Sequence, residues 1–500
     1  MIAPRRAIVL VHNPVAPYSR ALRIARSLES EGWEVLIAGT ARAGLPAEEQ
    51  DGGIRIVRVP AAGPLARFVV PPGGRAAALV ARSDRVVAAL GRILGRVPGL
   101  HLLGRARTPT ARRVLGVLRW PLPARAWAEG LRRTLPPADL YHACGIAALV
   151  AATELAGHAR VPRGGERPPA ADRPSAGEPP RAADRPSAAE PPRASEPPQT
   201  SEPPRAGRVV YDVIDLFLDG NAYATMPRPL RDLYARRERA LVRRADAIVT
   251  VNEALAGELR RRWALPAEPA VVRNCPPWIP APPEKPDDLR RAAGLPSATR
   301  LVLFLGILGA DRGILESGEA VRRIPDAAFV AMGFGPWYDR LRARDGDPAF
   351  AGRHVTLPPV HPDDVPRWVA GADAVIVAVP GDSLNQRLST PNKFWEGLTA
   401  GVPLVVGRDL VVMRRIVEEH DLGAVADPAD ADDLARALSS VLDAPPEARA
   451  ARRERALALH EEVFRWDVQV RPLLALAARL VPERRIDTVD WDVRPSEGRN

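Results

Sequence analysis

The chain has 500 residues, of which 46% are hydrophobic, with a formal net charge of +11 and two cysteines. This length suits two or three domains, and so few cysteines exclude a disulfide framework. Apolar runs stay shorter than the roughly eighteen residues that a membrane span needs, so we expect a cytoplasmic protein.

Short apolar runs alternate with helical patterns along the first half of the chain. Helices such as Ser19–Glu31 and Pro229–Arg244 separate several of these runs. This alternation favours a parallel sheet covered by helices. The predicted strands are Ala7–Val11, Glu34–Ala38, Ile54–Val59, Asp139–His142, Val209–Val213, Ala247–Val251 and Ala270–Arg273.

Two stretches of the first half have an unusual composition. Residues 161–206 repeat "ADRPSAGEPPRA" with small changes, which predicts a disordered proline-rich insert because such residues cannot build a core. Residues 61–135 carry fourteen arginines against Asp84 and Glu129. A peripheral contact with the anionic inner face of the cell membrane and an ordinary arginine-rich surface are equally compatible with that pattern. Sparse aromatics argue against a nucleic-acid partner.

The second half repeats the strand and helix pattern, and "RADAIVTV" at 244 resembles "GADAVIVAV" at 371. We therefore predict an α/β fold of two doubly wound Rossmann-like domains facing an interdomain cleft, residues 1–275 and 286–463. The break between them is the proline-rich segment 274–286. The predicted strands of the second half are Leu301–Leu305, Ala328–Met332, Val355–Leu357, Ala374–Val379 and Leu404–Val406.

A glycine turn links the first strand and helix of the second domain in "LVLFLGILGADRGILESGEAV". Gly306, Gly309 and Gly313 loosely match a dinucleotide fingerprint, which an oxidoreductase would use together with an acidic residue at the end of the next strand. That strand ends in "FVAMGFG", without an acid. The favoured alternative is a phosphate site in which Arg312 and the amides near Gly313 face an anion at a helix N-terminus.

Residues 389–407, "STPNKFWEGLTAGVPLVVG", predict a helix followed by a strand. We expect Thr390 to cap the helix and Gly401 to end it in a left-handed conformation. Lys393 and Lys285 are the two lysines of the chain. A compact ammonium in the first turn suits a phosphate oxygen, whereas the alternative is a solvated lysine.

Glu396 lies one turn beyond Lys393, on the same side of the predicted helix. A carboxylate there can accept two hydrogen bonds from a ribose diol, and two cationic helix N-termini in one domain suit a diphosphate. Together these groups indicate a nucleotide. The alternative for Glu396 is a simple helical ion pair with Lys393.

These residues resemble the retaining glycosyltransferases of family 4, which have two Rossmann domains in the GT-B arrangement. "PNKFWEGLTAGVP" looks like the family's P-x-K-x-x-E-x-x-x-x-G-x-P segment, and "FLGILGADRG" resembles its glycine turn. "YDVIDLF" and "ADAIVTVN" resemble the closing strands of the acceptor domain. "FRWDVQVRPLLALAARL" resembles a C-terminal helix, residues 464–481, that crosses back to the first domain.

The resemblance implies a nucleotide-diphospho-sugar donor in the second domain, transfer with retention to an unknown glycan, lipid-linked or small-molecule acceptor, and no metal or cofactor. Protein cations would stabilise the leaving diphosphate. Its implied donor-site residues are Arg312 and Lys393 as catalytic cations, with Gly306, Gly313, Asn392 and Glu396 for binding.

On the acceptor side, Ser19 and Arg20 occupy a loop comparable to one of the family, and Asp215 matches a family acid. His142, at a strand end, is a further candidate. The chain departs from many relatives at Leu388, where they have a second glutamate, at Ile307, where they have arginine, and at Ile214, where they have histidine. The alternative reading is therefore a nucleotide-sugar-binding or scaffold protein without transfer activity.

Overall fold

The computed structural model describes residues 5–15, 19–61, 121–158, 207–220, 228–280, 282 and 284–483. The predicted insert 161–206 lies outside the described residues. So does the arginine-rich stretch as far as residue 120.

The first domain is built on an eight-stranded sheet in the order β3-β4-β2-β1-β5-β6-β7-β8. All neighbouring strands are parallel except β3, which pairs antiparallel with β4 at the edge. The strands are β1 Arg6–Val11, β2 Glu34–Thr40, β3 Glu48–Asp51, β4 Ile54–Val59, β5 Leu140–Cys144, β6 Arg208–Val213, β7 Ala247–Thr250 and β8 Ala270–Val271.

Helices cover both faces of this sheet, as its almost continuously apolar strands require. The helix Ile146–His158 is apolar on nearly every side and is buried against the sheet. Asn252 caps the helix Glu253–Trp263 by accepting a hydrogen bond from the Leu255 amide over 2.8 Å. The helices are α1 Ser19–Ser30, α2 Pro121–Thr134, α3 Ile146–His158, α4 Arg228–Val242 and α5 Glu253–Trp263, with a short 3₁₀ turn at Phe217–Asp219.

The second domain has a six-stranded, fully parallel sheet in the order β11-β10-β9-β12-β13-β14. The strands are β9 Arg300–Ile307, β10 Ala327–Phe334, β11 His354–Leu357, β12 Ala374–Val377, β13 Leu404–Gly407 and β14 Gly423–Ala426. The helices are α6 Asp288–Ala293, α7 Ile314–Arg322, α8 Tyr338–Asp345, α9 Val365–Ala370, α10 Leu384–Leu388, α11 Asn392–Thr399, α12 Val411–Glu419, α13 Ala431–Leu442 and α14 Pro446–Glu462, with a 3₁₀ turn at Pro348–Phe350.

Two segments connect the domains. Residue Cys275 of the linker is buried in the second domain's core. After α14 the chain returns through α15 Trp466–Gln469 and α16 Arg471–Leu480, which pack in the core of the first domain. The backbone amide of Trp466 donates to the carbonyl of Pro276 over 3.1 Å, so the two crossing segments lie side by side.

The predicted α/β fold of two parallel-sheet domains is confirmed. The sequence did not predict β3 or β14, because "EEQD" is polar throughout and "GAVA" lacks large apolar residues. The predicted strand Ala270–Arg273 is two residues too long. Among the described residues, every helix is too short or too polar to cross a bilayer.

Candidate active site

The carboxyl ends of the two sheets face each other across a cleft. The amide of Leu216, just after β6, donates to Asn385 Oδ1 over 2.6 Å. Asn252, just after β7, donates from Nδ2 to the carbonyl of Leu388 over 2.8 Å. Asn385 and Leu388 belong to α10, which follows β12 of the second domain. Because ligands of such sheets bind beyond the carboxyl ends of the strands, this cleft is the candidate site.

The glycine turn after β9 forms one wall of the site. Gly306 and Gly313 have φ angles of 112° and 67°, which favour glycine. A Cβ on Gly313 would lie 1.8 Å from the carbonyl oxygen of Ala378, so the turn approaches β12 as closely as glycine permits. Gly313 occupies the cap of α7 without any side-chain cap, which leaves the first amides of this helix for a ligand.

Lys393 lies in the first turn of α11, and the structure brings it to the glycine turn. The residue is only 7% exposed, and its Nζ lies 3.3 Å from the centroid of the Phe304 ring. Its Cε is 3.9 Å from where a Cβ on Gly306 would stand. The burial of the residue argues against the alternative of an exposed, solvated lysine. Within the part of the chain that the structure describes, the ammonium has no hydrogen bond or ion pair.

The positive charge of Arg312 acts on Lys393. Burial lowers the pKa of Lys393 well below its ordinary value, the positive charge of Arg312 lowers it further, and the carboxylate of Glu396 offsets part of this. Arg312 is half-buried at the start of α7 and also has no carboxylate partner among the described residues. Because neither cation forms an ion pair with a carboxylate among the described residues, the site favours an anionic ligand.

Glu396 is half-buried one turn after Lys393. Burial raises the pKa of Glu396 to about 7, against the opposing effect of Arg23 and then Lys393. No ion pair joins Glu396 to Lys393 in the described structure, so the simple helical pair is wrong. Arg23 belongs to α1 of the first domain, which means that both domains shape the charge of this carboxyl group.

The helix that carries these groups begins one residue later than predicted. Pro391 holds the cap position and α11 starts at Asn392, so the prediction that Thr390 caps the helix is wrong. The Thr390 hydroxyl is buried and has no hydrogen-bond partner among the described residues. Gly401 has the predicted left-handed conformation, with a φ angle of 68°.

Two of the four predicted acceptor-side residues lie in the interior of the first domain. Arg20 donates from Nε and Nη2 to the two oxygens of Asp212, over 2.8 and 2.9 Å, and His142 Nε2 lies 3.1 Å from the same carboxylate. Arg20 is 1% exposed, whereas His142 and Asp212 are fully buried. Arg20 and His142 are therefore enclosed in an ion-pair cluster, and their roles toward an acceptor stay predictions.

The other two acceptor-side candidates lie nearer the cleft. Asp215 is exposed and accepts a hydrogen bond from Asn385 Nδ2 over 3.1 Å. Ser19 is half-buried, and its Oγ accepts from Arg23 Nη2 over 3.2 Å. Their roles toward an acceptor stay predictions.

One group of three potential metal ligands comes together among the described residues. The ligand atoms of His142, Cys144 and Asp212 lie within 4.8 Å of one another. Both carboxylate oxygens of Asp212 already accept from Arg20, whose positive charge opposes a cation. Burial also raises the pKa of the Cys144 thiol well above its ordinary value, so this cluster suits an ion pair better than a metal.

The fold is that of GT-B glycosyltransferases, as comparison with solved structures shows. Sucrose-phosphate synthase from Thermosynechococcus elongatus superposes with a TM-score of 0.62 at 15% identity, covering 95% of this chain and 99% of that chain. Anabaena HepE, solved with UDP and glucose, gives a TM-score of 0.55 at 13% identity, covering 95% and 100%.

Residues 299–444, most of the second domain, match the family model described as "Glycosyl transferases group 1". Alpha-D-kanosaminyltransferase of Streptomyces kanamyceticus is 26% identical over 42% of this chain and 54% of its own length. Phosphatidyl-myo-inositol mannosyltransferase of Mycolicibacterium smegmatis is 29% identical over 44% of this chain and 54% of its own. The chain thus spans about half the length of the curated relatives it matches.

Proposed function

We propose that the chain is a glycosyltransferase that moves a sugar from a nucleoside-diphosphate sugar to an acceptor, with retention of configuration and without a metal ion. The observation that carries the proposal is the buried Lys393 at the glycine turn, which has no ion pair among the described residues and is influenced by the charge of Arg312. The group 1 match covers the domain that holds both cations, and the UDP complex of a GT-B neighbour is consistent with a nucleotide there.

The physical task of the site is to stabilise a leaving diphosphate. Negative charge on that group grows as the bond to the sugar breaks, and cations already fixed in a dry site need no reorganisation at that moment. Lys393, which is almost completely buried, has this arrangement, and the half-buried Arg312 adds a second positive charge. The amides at the start of α7 and α11 add donors, Gly306 and Gly313 let the backbone approach, and Glu396 would accept from the ribose diol.

A nucleoside diphosphate should therefore stabilise the fold without added metal. At a concentration a hundredfold above its dissociation constant, the gain in the free energy of unfolding should be about 2.7 kcal/mol. The measurement is thermal unfolding with UDP or GDP in the presence of EDTA. A shift that appears only with manganese would contradict metal independence, and no shift with any nucleoside diphosphate would overturn the donor site.

Glu396 should make donor binding depend on pH. Because its pKa is about 7, the carboxyl group of Glu396 is mostly protonated at pH 6 and mostly ionised at pH 8. The ionised form accepts stronger hydrogen bonds from a diol than the protonated form does. The ionised fraction rises about tenfold between these pH values, so we expect UDP affinity to rise with pH by up to about tenfold. Glu396→Gln removes this part of the titration while leaving that of UDP itself. A wild-type profile that matches the Glu396→Gln profile would contradict the ribose role.

A nucleotide-sugar-binding protein without transfer activity is the second candidate. Leu388 supports it, since the position where many relatives carry a glutamate packs here against the core of the first domain. Donor hydrolysis without acceptor separates the two candidates: slow release of free sugar supports an enzyme, whereas tight binding without turnover supports a binding protein. Analysis of the product anomer by NMR tests retention.

A lipid-linked acceptor at a membrane surface is the acceptor class that the relatives and the composition favour. The mannosyltransferase relative of Mycolicibacterium smegmatis is named for phosphatidyl-myo-inositol. A second relative from the same organism, 26% identical over 38% of this chain, is named a phosphatidylinositol monomannoside mannosyltransferase. With the cationic stretch 61–135, this favours a cytoplasmic enzyme that meets a lipid-linked acceptor at an anionic membrane surface. Sedimentation with anionic and with neutral vesicles tests this, and equal recovery would favour a water-borne acceptor.

A further inference from the structure

A chain of hydrogen bonds runs from the first domain to the first residue of α11. Arg23 Nη2, on α1, donates to Asn274 Oδ1 over 2.6 Å. Asn274 Nδ2 donates in turn to Asn392 Oδ1 over 2.6 Å. Arg23 and Asn274 are buried, whereas Asn392 is exposed next to Lys393. These hydrogen bonds therefore join α1, the interdomain linker and the proposed diphosphate site.

The donors and acceptors in this series of hydrogen bonds have a fixed direction. A guanidinium has donors and no acceptor, so Arg23 requires the oxygen end of the Asn274 amide. The amino end of Asn274 then faces Asn392 and requires the oxygen end of that amide as well. The Nδ2 hydrogens of Asn392 are left over, and no described residue accepts from them. The orientation of both amides thus follows from one arginine rather than from the amides themselves.

We propose that Arg23 and Asn274 are positioning residues that hold Asn392 as a hydrogen-bond donor toward the donor diphosphate. A lone carboxamide can turn either its oxygen or its nitrogen to a ligand, and an oxygen facing an anion is repelled. Fixing the amide in advance removes the wrong orientation. This inference rests on the proposed function, and the buried Lys393, which has no ion pair among the described residues, separately favours an anion at the same helix start.

Arg23 also connects this donor to the arrangement of the domains. Its Nη1 donates to the carbonyl of Cys275 over 2.6 Å, and its guanidinium lies 5.2 Å from the Trp466 ring centroid on the returning segment. The orientation of Asn392 is therefore maintained only while α1, the linker and the returning segment keep these contacts.

The decisive variant is Asn274→Asp. A carboxylate still accepts from Arg23 but cannot donate, so Asn392 must turn its nitrogen to position 274 and its oxygen to the phosphate. We expect the affinity for UDP or GDP, measured by calorimetric titration, to fall about tenfold or more. Asn274→Ala should cost less, because Asn392 can then turn either way. A merely structural role predicts the reverse order, since aspartate keeps the contact with Arg23 and alanine loses it.

Two controls separate the effect of the hydrogen-bond relay, which runs from Arg23 through Asn274 to Asn392, from other effects of the substitution. In an Asn392→Ala background, Asn274→Asp keeps its added negative charge but has no amide to reverse, so only the part of its effect due to charge should remain. Ser27→Ala removes the 2.8 Å hydrogen bond from Trp466 Nε1 at the same interface and should leave binding unchanged. Melting temperatures confirm that each variant is folded.

The outcomes separate this inference from the proposed function. If the wild-type protein binds neither UDP nor GDP, the proposed function fails and the relay fails with it. If the wild-type protein binds and Asn274→Asp binds as tightly, or more tightly than Asn274→Ala, the relay is overturned while the proposed function stands. An undiminished effect of Asn274→Asp in the Asn392→Ala background would also overturn it.

Discussion

Lys393→Ala should lower turnover at saturating donor about a hundredfold, the loss typical of removing one preorganised group that stabilises developing charge. The affinity for donor should change less, because the attraction to the diphosphate grows as the sugar leaves. Lys393→Arg should not fully restore turnover. The ammonium is packed against Phe304 and Gly306, which leaves little room for a planar guanidinium.

Lys285 supplies the matched control for this experiment. It is the second of the two lysines and forms an ion pair with Asp373, so its charge is already compensated. Lys285→Ala should leave the rate unchanged. A folded Lys393→Ala enzyme with wild-type turnover would show that the start of α11 does not bind the leaving group.

Asp212→Ala should lower the free energy of unfolding by about 3–5 kcal/mol, because it leaves the Arg20 guanidinium buried without its partner. Both side chains are almost completely enclosed. Urea unfolding measures the loss. Glu48→Ala, which breaks the exposed pair with Arg55 on the same sheet, is the control and should cost less than about 1 kcal/mol. Similar losses in the two variants would contradict the importance of burial.

The same cluster predicts how stability varies with pH. Burial opposes ionisation of Asp212, but the charge of Arg20 and hydrogen bonds from His142 and Arg20 prevail and hold the pKa of Asp212 below its usual range. A lowered carboxyl pKa means that the unfolded chain takes up the proton first. The contribution of Asp212 to stability is therefore complete above about pH 4 and is lost as the pH falls below that value.

The sequence predicted those residues of the candidate site whose signals come from neighbouring positions in the chain. Gly306 and Gly313 could be recognised because a turn between strand and helix leaves a glycine pattern. Lys393 stood out against an arginine background, and Glu396 followed from its spacing. Each of these signals lies within one strand, turn or helix.

Contacts between residues that are far apart in the sequence could not be predicted in the same way. Arg23 and Asn274 are separated by 251 residues along the chain, and nothing local distinguishes Arg23 from many other arginines. The likeness to a loop of the family predicts that Arg20 lies on the acceptor side of the cleft. Its partner Asp212 is 192 residues away and became apparent only once the sheet was assembled. Contacts made by tertiary packing leave no periodic pattern to read.

The two neighbouring crossings between the domains also affect how the protein withstands cleavage. Trp278 and Ile279 of the linker are 44% and 42% exposed, which makes the linker open to a protease. The returning segment is a second covalent tie, and its α16 stays packed in the opposite domain. A single nick at the linker would therefore yield two polypeptides that still migrate as one particle and separate only in denaturant.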